Sequence, residues 1–137
     1  LIMAWVSITN ELNIYPIIFY IGAIFWTLGY DTIYGFQDIK DDEIIGVKST
    51  SIKFKKNPKI FLSICYLIFI FLFIVTGIKS NLNNYFFVGS MAVLFHLFVI
   101  QITNFNQKNK ENCLKIFKSN NILGLIILIC ILIGKLN

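Results

Sequence analysis

Three stretches of this chain, residues 12–30, 60–78 and 82–107, contain no Lys, Arg, Asp or Glu, and only His96 in the last of them titrates near neutral pH. A helix that crosses a hydrocarbon core of about 30 Å needs about 20 mostly apolar residues. Each of the three runs supplies 19 or more. A fourth run, residues 119–134, has 16, but its core from Ile122 to Ile133 is almost wholly Ile and Leu. Local thinning of the bilayer or snorkelling of flanking residues absorbs such a mismatch. The expected fold is therefore an all-α, polytopic transmembrane helical bundle, with spans near residues 12–37, 60–78, 85–103 and 120–134.

Composition excludes the alternatives. The hydrophobic set makes up 57% of 137 residues and charged residues only 14%, against about 25% charged in a typical soluble domain. So much apolar surface, including 14 Phe, exceeds what one compact core of this length hides from water. Disorder and a soluble globule are both ruled out. The chain opens on Leu1 and lacks a basic n-region, so residues 1–9 read as the cut end of another helix rather than a secretory leader. They are followed by a short polar turn over residues 10–13, and the whole reads as a piece of a longer protein. Cys65, Cys113 and Cys130 lack CxxC spacing and read as small packing residues.

Lysine placement supplies an orientation, because basic residues near helix ends are retained on the cytoplasmic side. Counted through the successive connections, the lysines number 0, 6, 1, 4 and 1, and there is no arginine. The alternation puts the connections at residues 38–59 and 104–120 in the cytoplasm and the C-terminus outside. The net charge of +5 does not point to nucleic acid, since the lysines sit at membrane edges rather than on one basic face with stacking aromatics. The lysines at 108–118 serve equally as topology anchors or as a contact for anionic lipid.

All four aspartates of the chain fall between Tyr30 and Thr50, in YDTIYGFQDIKDDEIIGVKST. If the helix continues past Asp31, the residues Asp31, Tyr34, Asp38 and Asp42 share one face, with Lys40 pointing away. Several carboxylates on one face repel one another unless a cation sits among them. Oxygen-only ligands favour a hard ion, and Mg²⁺ takes one or two carboxylates while sharing its other positions with water and phosphate. Spacing alone leaves a second reading open: an acidic helix end that is merely solvated, with Asp41 and Asp42 capping the next turn. Downstream, Gly46, Lys48, Ser49 and Thr50 supply a flexible segment with one cation and two hydroxyls, suited to a phosphate or to a solvated loop.

These residues, YDTxYxxxDxxDDxxxGxKST from Tyr30 to Thr50, resemble the second aspartate-rich motif of the UbiA superfamily of intramembrane prenyltransferases. Within it they are most similar to the ubiquinone-pathway branch that prenylates 4-hydroxybenzoate. The segment NKENCLKIFKSNNILG, residues 109–124, resembles that branch's segment before its last helix. The resemblance implies a bundle of about nine spans, of which residues 1–137 supply the C-terminal half, in a bacterial inner membrane with cytoplasmic active-site loops. It implies Mg²⁺ as cofactor, and a polyprenyl diphosphate, 4-hydroxybenzoate and the lipid bilayer as partners. The site residues it implies are Asp38, Asp42 and Asp31 for the metal, Lys48 and Tyr30 for the diphosphate, and Asp31 and Tyr34 for catalysis. The family's first acidic motif, NDxxDxxxD, is absent from these residues, so the fragment alone is expected to be inactive. Other acceptors within the superfamily remain an alternative.

His96, between Phe95 and Leu97, reads as a packed or hydrogen-bonded histidine rather than a catalytic base. A cation-conducting subunit is disfavoured because its carboxylates belong near mid-membrane on broken helices, whereas Asp38, Asp41 and Asp42 fall at a helix end. A non-enzymatic assembly subunit leaves the aspartate spacing unexplained.

Overall fold

The structure, a computed structural model, describes residues 2–11 and 13–136. The expected starts of the first two helices at residues 1 and 12 lie outside these described residues. The described residues form helices and connections without strands. The helices are α1 (Ile2–Thr9), α2 (Ile14–Gly35), α3 (Ile39–Ile45), α4 (Thr50–Lys53), α5 (Pro58–Lys79), α6 (Asn84–Phe95) and α7 (Lys110–Lys135). A π-helical segment, His96–Thr103, continues α6. Four units are long and apolar enough to cross a membrane: α2, α5, α6 with its π continuation, and α7.

An asparagine stands immediately before each long helix. The side chains of Asn13, Asn83 and Asn109 accept the backbone N–H groups of Tyr15, Tyr85 and Asn112 at 3.3, 3.0 and 3.0 Å, satisfying donors that the first turn leaves without partners. Asn57 precedes Pro58, whose fixed φ and missing N–H suit the first helical position. The last helix begins earlier than the apolar run predicts, because polarity does not end a helix. Residues 110–118 form its first turns instead of a loop, and the connection shrinks to residues 104–109. That turn is knitted by Asn112, which accepts from Asn106 N–H at 2.9 Å and donates to the Asn104 carbonyl at 3.1 Å.

The long helices run up and down, α2 against α5 and α7, and α6 against α7. At one end Lys59 Nζ reaches the Thr103 carbonyl at 3.2 Å and the Phe36 and Phe105 rings lie 5.5 Å apart, so the 36–57 and 104–109 connections share a side, as the lysine alternation requires. Phe69, Phe73, Phe86, Leu62 and Ile33 form the core, while Ile60, Phe71, Val88, Leu125 and Leu132 are exposed. A surface of large aliphatic and aromatic side chains around a packed interior is what contact with lipid demands.

The π segment carries an inward polar pair. His96 and Gln101, five residues apart, stand about one π turn from each other and are both buried. His96 Nε2 lies 3.2 Å from Ser119 Oγ, in keeping with a packed, hydrogen-bonded histidine. Gln101 donates to Asn120 Oδ1 at 2.9 Å and accepts from the Tyr66 hydroxyl at 2.5 Å, and Trp26 Nε1 donates to the same Asn120 oxygen at 2.8 Å. This chain of bonds ties α5, the π segment, α7 and α2 together, and in lipid such groups must be satisfied within the protein. Cys65, Cys113 and Cys130 are buried and unpaired with one another, as packing residues should be.

Candidate functional site

The acidic segment begins where α2 stops. The helix ends at Gly35, Phe36 N–H closes a tighter turn onto the Ile33 carbonyl at 3.3 Å, and Phe36 buries its ring. Asp38 then stands at the N-cap position of α3 without a side-chain capping bond, and Asp41 and Asp42 lie in the first turn, where the helix dipole favours negative charge. The continuous face expected for Asp31, Tyr34, Asp38 and Asp42 therefore does not form. Asp31 and Tyr34 stay on α2, while Asp38 and Asp42 belong to α3 and are linked through the Asp42 N–H to Asp38 carbonyl bond of 2.9 Å. Burying Phe36 against Phe105 turns the chain at this point.

The second half of the motif returns to α2 rather than extending into solvent. Gly46 adopts φ 80° and terminates α3 in the left-handed region that glycine enters without penalty. Ser49 caps α4 by accepting the Ile52 N–H at 3.3 Å. Thr32 Oγ1 donates to the Leu28 carbonyl at 2.6 Å, which leaves Thr50 to donate to Thr32 Oγ1 at 2.7 Å. Ser51 Oγ adds a bond to the Thr32 carbonyl at 3.0 Å. The approach is close because residue 35 is a glycine: a Cβ there would overlap Ser51 Oγ. The Ser49 and Thr50 hydroxyls, which the sequence left open between a phosphate contact and a solvated loop, are engaged in a cap and in a helix contact, and Lys48 stands exposed just before them.

Two sides of the α2 end carry different chemistry. Tyr30 and Tyr34 both meet the Phe117 ring of α7, at 5.7 and 4.7 Å between centroids, and Trp26 continues the row at 5.7 Å from Tyr30 and 5.5 Å from Phe69. Asp31 lines a groove of about 340 Å³ with Tyr20, Ala23, Ile24, Thr27 and Leu28. Asp38 faces Lys110 across 4.0 Å, both well exposed, a separation at which an ion pair contributes little. Among the described residues no three His, Cys, Asp or Glu side chains converge on a common metal position. The carboxylates are hard oxygen donors of the kind that a divalent ion such as Mg²⁺ accepts one or two of.

Ser51 and Phe117 lie against these residues although motif spacing did not single them out, whereas Thr32 is part of the YDTxY string.

The profile of the UbiA prenyltransferase family matches residues 1–125. The chain belongs to that family. As a UbiA-family chain it is 38% identical over 117 residues to a mitochondrial 4-hydroxybenzoate polyprenyltransferase of Dictyostelium discoideum, covering 85% of this chain and 25% of that protein. It is 34% identical over 134 residues to a 4-hydroxybenzoate octaprenyltransferase of Psychromonas ingrahamii, covering 98% of this chain and 46% of the relative. A Francisella tularensis subsp. mediasiatica protein of the same name is 32% identical over 127 residues, 44% of its length. The UbiA-family chain described here spans less than half the length of these relatives. No solved structure matches it. Its apolar helices make it part of a multi-pass membrane protein.

Proposed function

We propose that residues 30–50 form the diphosphate end of an enzyme that transfers a polyprenyl group from its diphosphate to the ring of 4-hydroxybenzoate. The observation that carries this reading is the docking of Thr50 and Ser51 onto Thr32, which holds the YDTxY and KST halves of the motif together at one end of the bundle. Family membership and the names of the relatives support the substrates. Helices beyond these residues, which make up the rest of the relatives' length, complete the site.

In this reading Lys48 and the Tyr30 hydroxyl contact the diphosphate, and Asp38 and Asp42, with Asp31 nearby, provide the oxygens for Mg²⁺. The ion, when bound, offsets the charge that grows on the departing diphosphate. The bond between the allylic carbon and the diphosphate oxygen breaks, a carbon–carbon bond forms beside the ring hydroxyl, and the ring proton leaves. In this reading Asp31, which lines the groove, receives that proton, and Tyr34 orients the cation. The aromatic and aliphatic walls of the spans exclude the water that would quench a carbocation. Lysine placement supports an orientation with this end of the bundle facing the cytoplasm, and the bacterial relatives support the inner bacterial membrane as the location.

The test is transfer of a labelled polyprenyl group by the intact protein in membranes, with 4-hydroxybenzoate, a dihydroxynaphthoate or haem as acceptor and with Mg²⁺ either present or chelated. Product with 4-hydroxybenzoate alone, lost on chelation, is the expected result. Preferential prenylation of another acceptor, or turnover without a divalent ion, overturns the assignment.

A further inference from the structure

The end of the bundle remote from the aspartates holds a second site. A cavity of about 570 Å³ opens there between the start of α2, the end of α5, the start of α6 and the end of α7. Phe19, Phe73, Phe86 and Ile131 give it apolar walls, and Lys79 and Lys135 also line it. Lysine is scarce at this end: the connection after α5 and the C-terminal tail hold one each. The fold brings both of them to the same cavity, though they lie far apart in sequence.

The rim is built rather than incidental. Asn83 N–H donates to the Gly134 carbonyl at 3.0 Å, and its side-chain amide donates to the carbonyls of Ile133 at 3.0 Å and Leu136 at 2.5 Å. These bonds clamp the last turn of α7 onto the connection that follows Lys79. Asn13, Ser80 and Asn81 add polar groups to the same mouth. An apolar chamber lined by two cations near the ends of membrane-length helices is complementary to a molecule with an anionic head and a hydrocarbon chain.

We propose that this cavity binds one anionic phospholipid, its phosphate between Lys79 and Lys135 and an acyl chain along Phe19, Phe73 and Phe86. The site is independent of the prenyl-transfer reading. A neutral lipid lacks the charge that the lysines complement, and the prenyl chain of a donor held at the opposite end would reach the cavity without using either lysine.

Native mass spectrometry of the intact protein in detergent, titrated with phosphatidylglycerol and phosphatidylcholine, tests this. Phosphatidylglycerol should be retained preferentially. K79Q and K135Q should each weaken it about fivefold and the double variant about thirtyfold, at about 1 kcal/mol per lysine. I131W, which narrows the chamber, should weaken it with helix content unchanged by circular dichroism, and K53Q/K56Q, at the other end, should leave it unaltered. Equal retention of the two lipids, equal loss in K53Q/K56Q, competition by glycerol phosphate without acyl chains, or displacement by a neutral polyprenol each overturns the proposal.

Discussion

The hydroxyls of Thr32 and Thr50 lie 2.7 Å apart, joining the last turn of α2 to the first residue of α4. Through that bond a connection rich in lysine and aspartate is held against the end of a membrane helix instead of drifting in solvent. The Thr32 proton goes to the Leu28 carbonyl and the Thr50 proton to Thr32, so each hydroxyl has a defined role, and the pair can be tested as a pair.

Thr32→Val keeps the shape of the side chain and removes both hydroxyl bonds, a loss of about 1 kcal/mol per bond. Thr50→Val should cost about the same as the inter-helix bond alone. In the intact protein each should raise KM for the polyprenyl diphosphate more than it lowers kcat, because the Lys48 segment loses its anchor. The double variant should be less impaired than the sum of the singles, since the two share one bond. Steady-state kinetics on the four proteins checks this, and full additivity would show that the bond does not couple the two segments.

Gly35→Ala places a methyl group where Ser51 Oγ now sits. The expected cost is about 1–3 kcal/mol of overpacking, seen as a lower thermal midpoint and faster proteolysis of residues 36–57. Ser51→Ala makes room by removing that oxygen, so the double variant should recover part of the loss. No recovery would mean that the α4 contact does not hold the segment.

For the acidic residues the informative comparison is among neighbours. Asp38→Asn and Asp42→Ala in the intact enzyme should each lower kcat by about 10²–10³, as loss of one preorganised electrostatic stabiliser does. Asp41→Ala, an exposed position in the same turn, should change it little. Asp38→Asn keeps the size and shape of the side chain, which separates loss of charge from loss of structure. Comparable rates for all three variants at saturating Mg²⁺ would remove Asp38 and Asp42 from the metal site.

The buried polar chain predicts stability rather than activity. Asn120→Leu leaves the Trp26 indole N–H and the Gln101 amide without their acceptor, at about 1–3 kcal/mol for each unsatisfied group. Ser119→Ala removes the contact with His96 together with the hydroxyl's own intrahelical bond to the Ile116 carbonyl, leaves no buried donor stranded on a neighbouring helix but His96, and should cost less, about 0.6 kcal/mol for the interhelical bond. Thermal unfolding in detergent should rank them in that order.

Topology can be read with an impermeant thiol reagent, because Cys65, Cys113 and Cys130 are buried and should stay silent in the folded protein. In intact cells a cysteine at Lys56 or Asn106 should be protected and one at Asn81 labelled. Labelling of the Lys56 position from outside would reverse the assigned orientation.

The sequence by itself determined the solvent and the class of fold. Charge-free runs of this length have no soluble solution, and the spacing of acidic, glycine and KST residues pointed to the family before any helix was placed. The four long helices appear where the apolar runs are, because satisfying backbone hydrogen bonds in lipid leaves helix as the only local choice.

Tertiary structure decided what periodicity cannot express. The helical spacing from Asp31 to Asp42 suggested one face, yet burial of Phe36 against Phe105 breaks the helix after Gly35 and divides the aspartates between two helices. The Ser49 and Thr50 hydroxyls looked available to phosphate, but one caps α4 and the other meets Thr32, a partner 18 residues away. The π segment that turns both His96 and Gln101 inward, and the meeting of Lys79 with Lys135 at one cavity, likewise depend on how helices distant in sequence pack. Local pattern sets which backbone forms; the packing of side chains between helices sets which polar groups remain free to act.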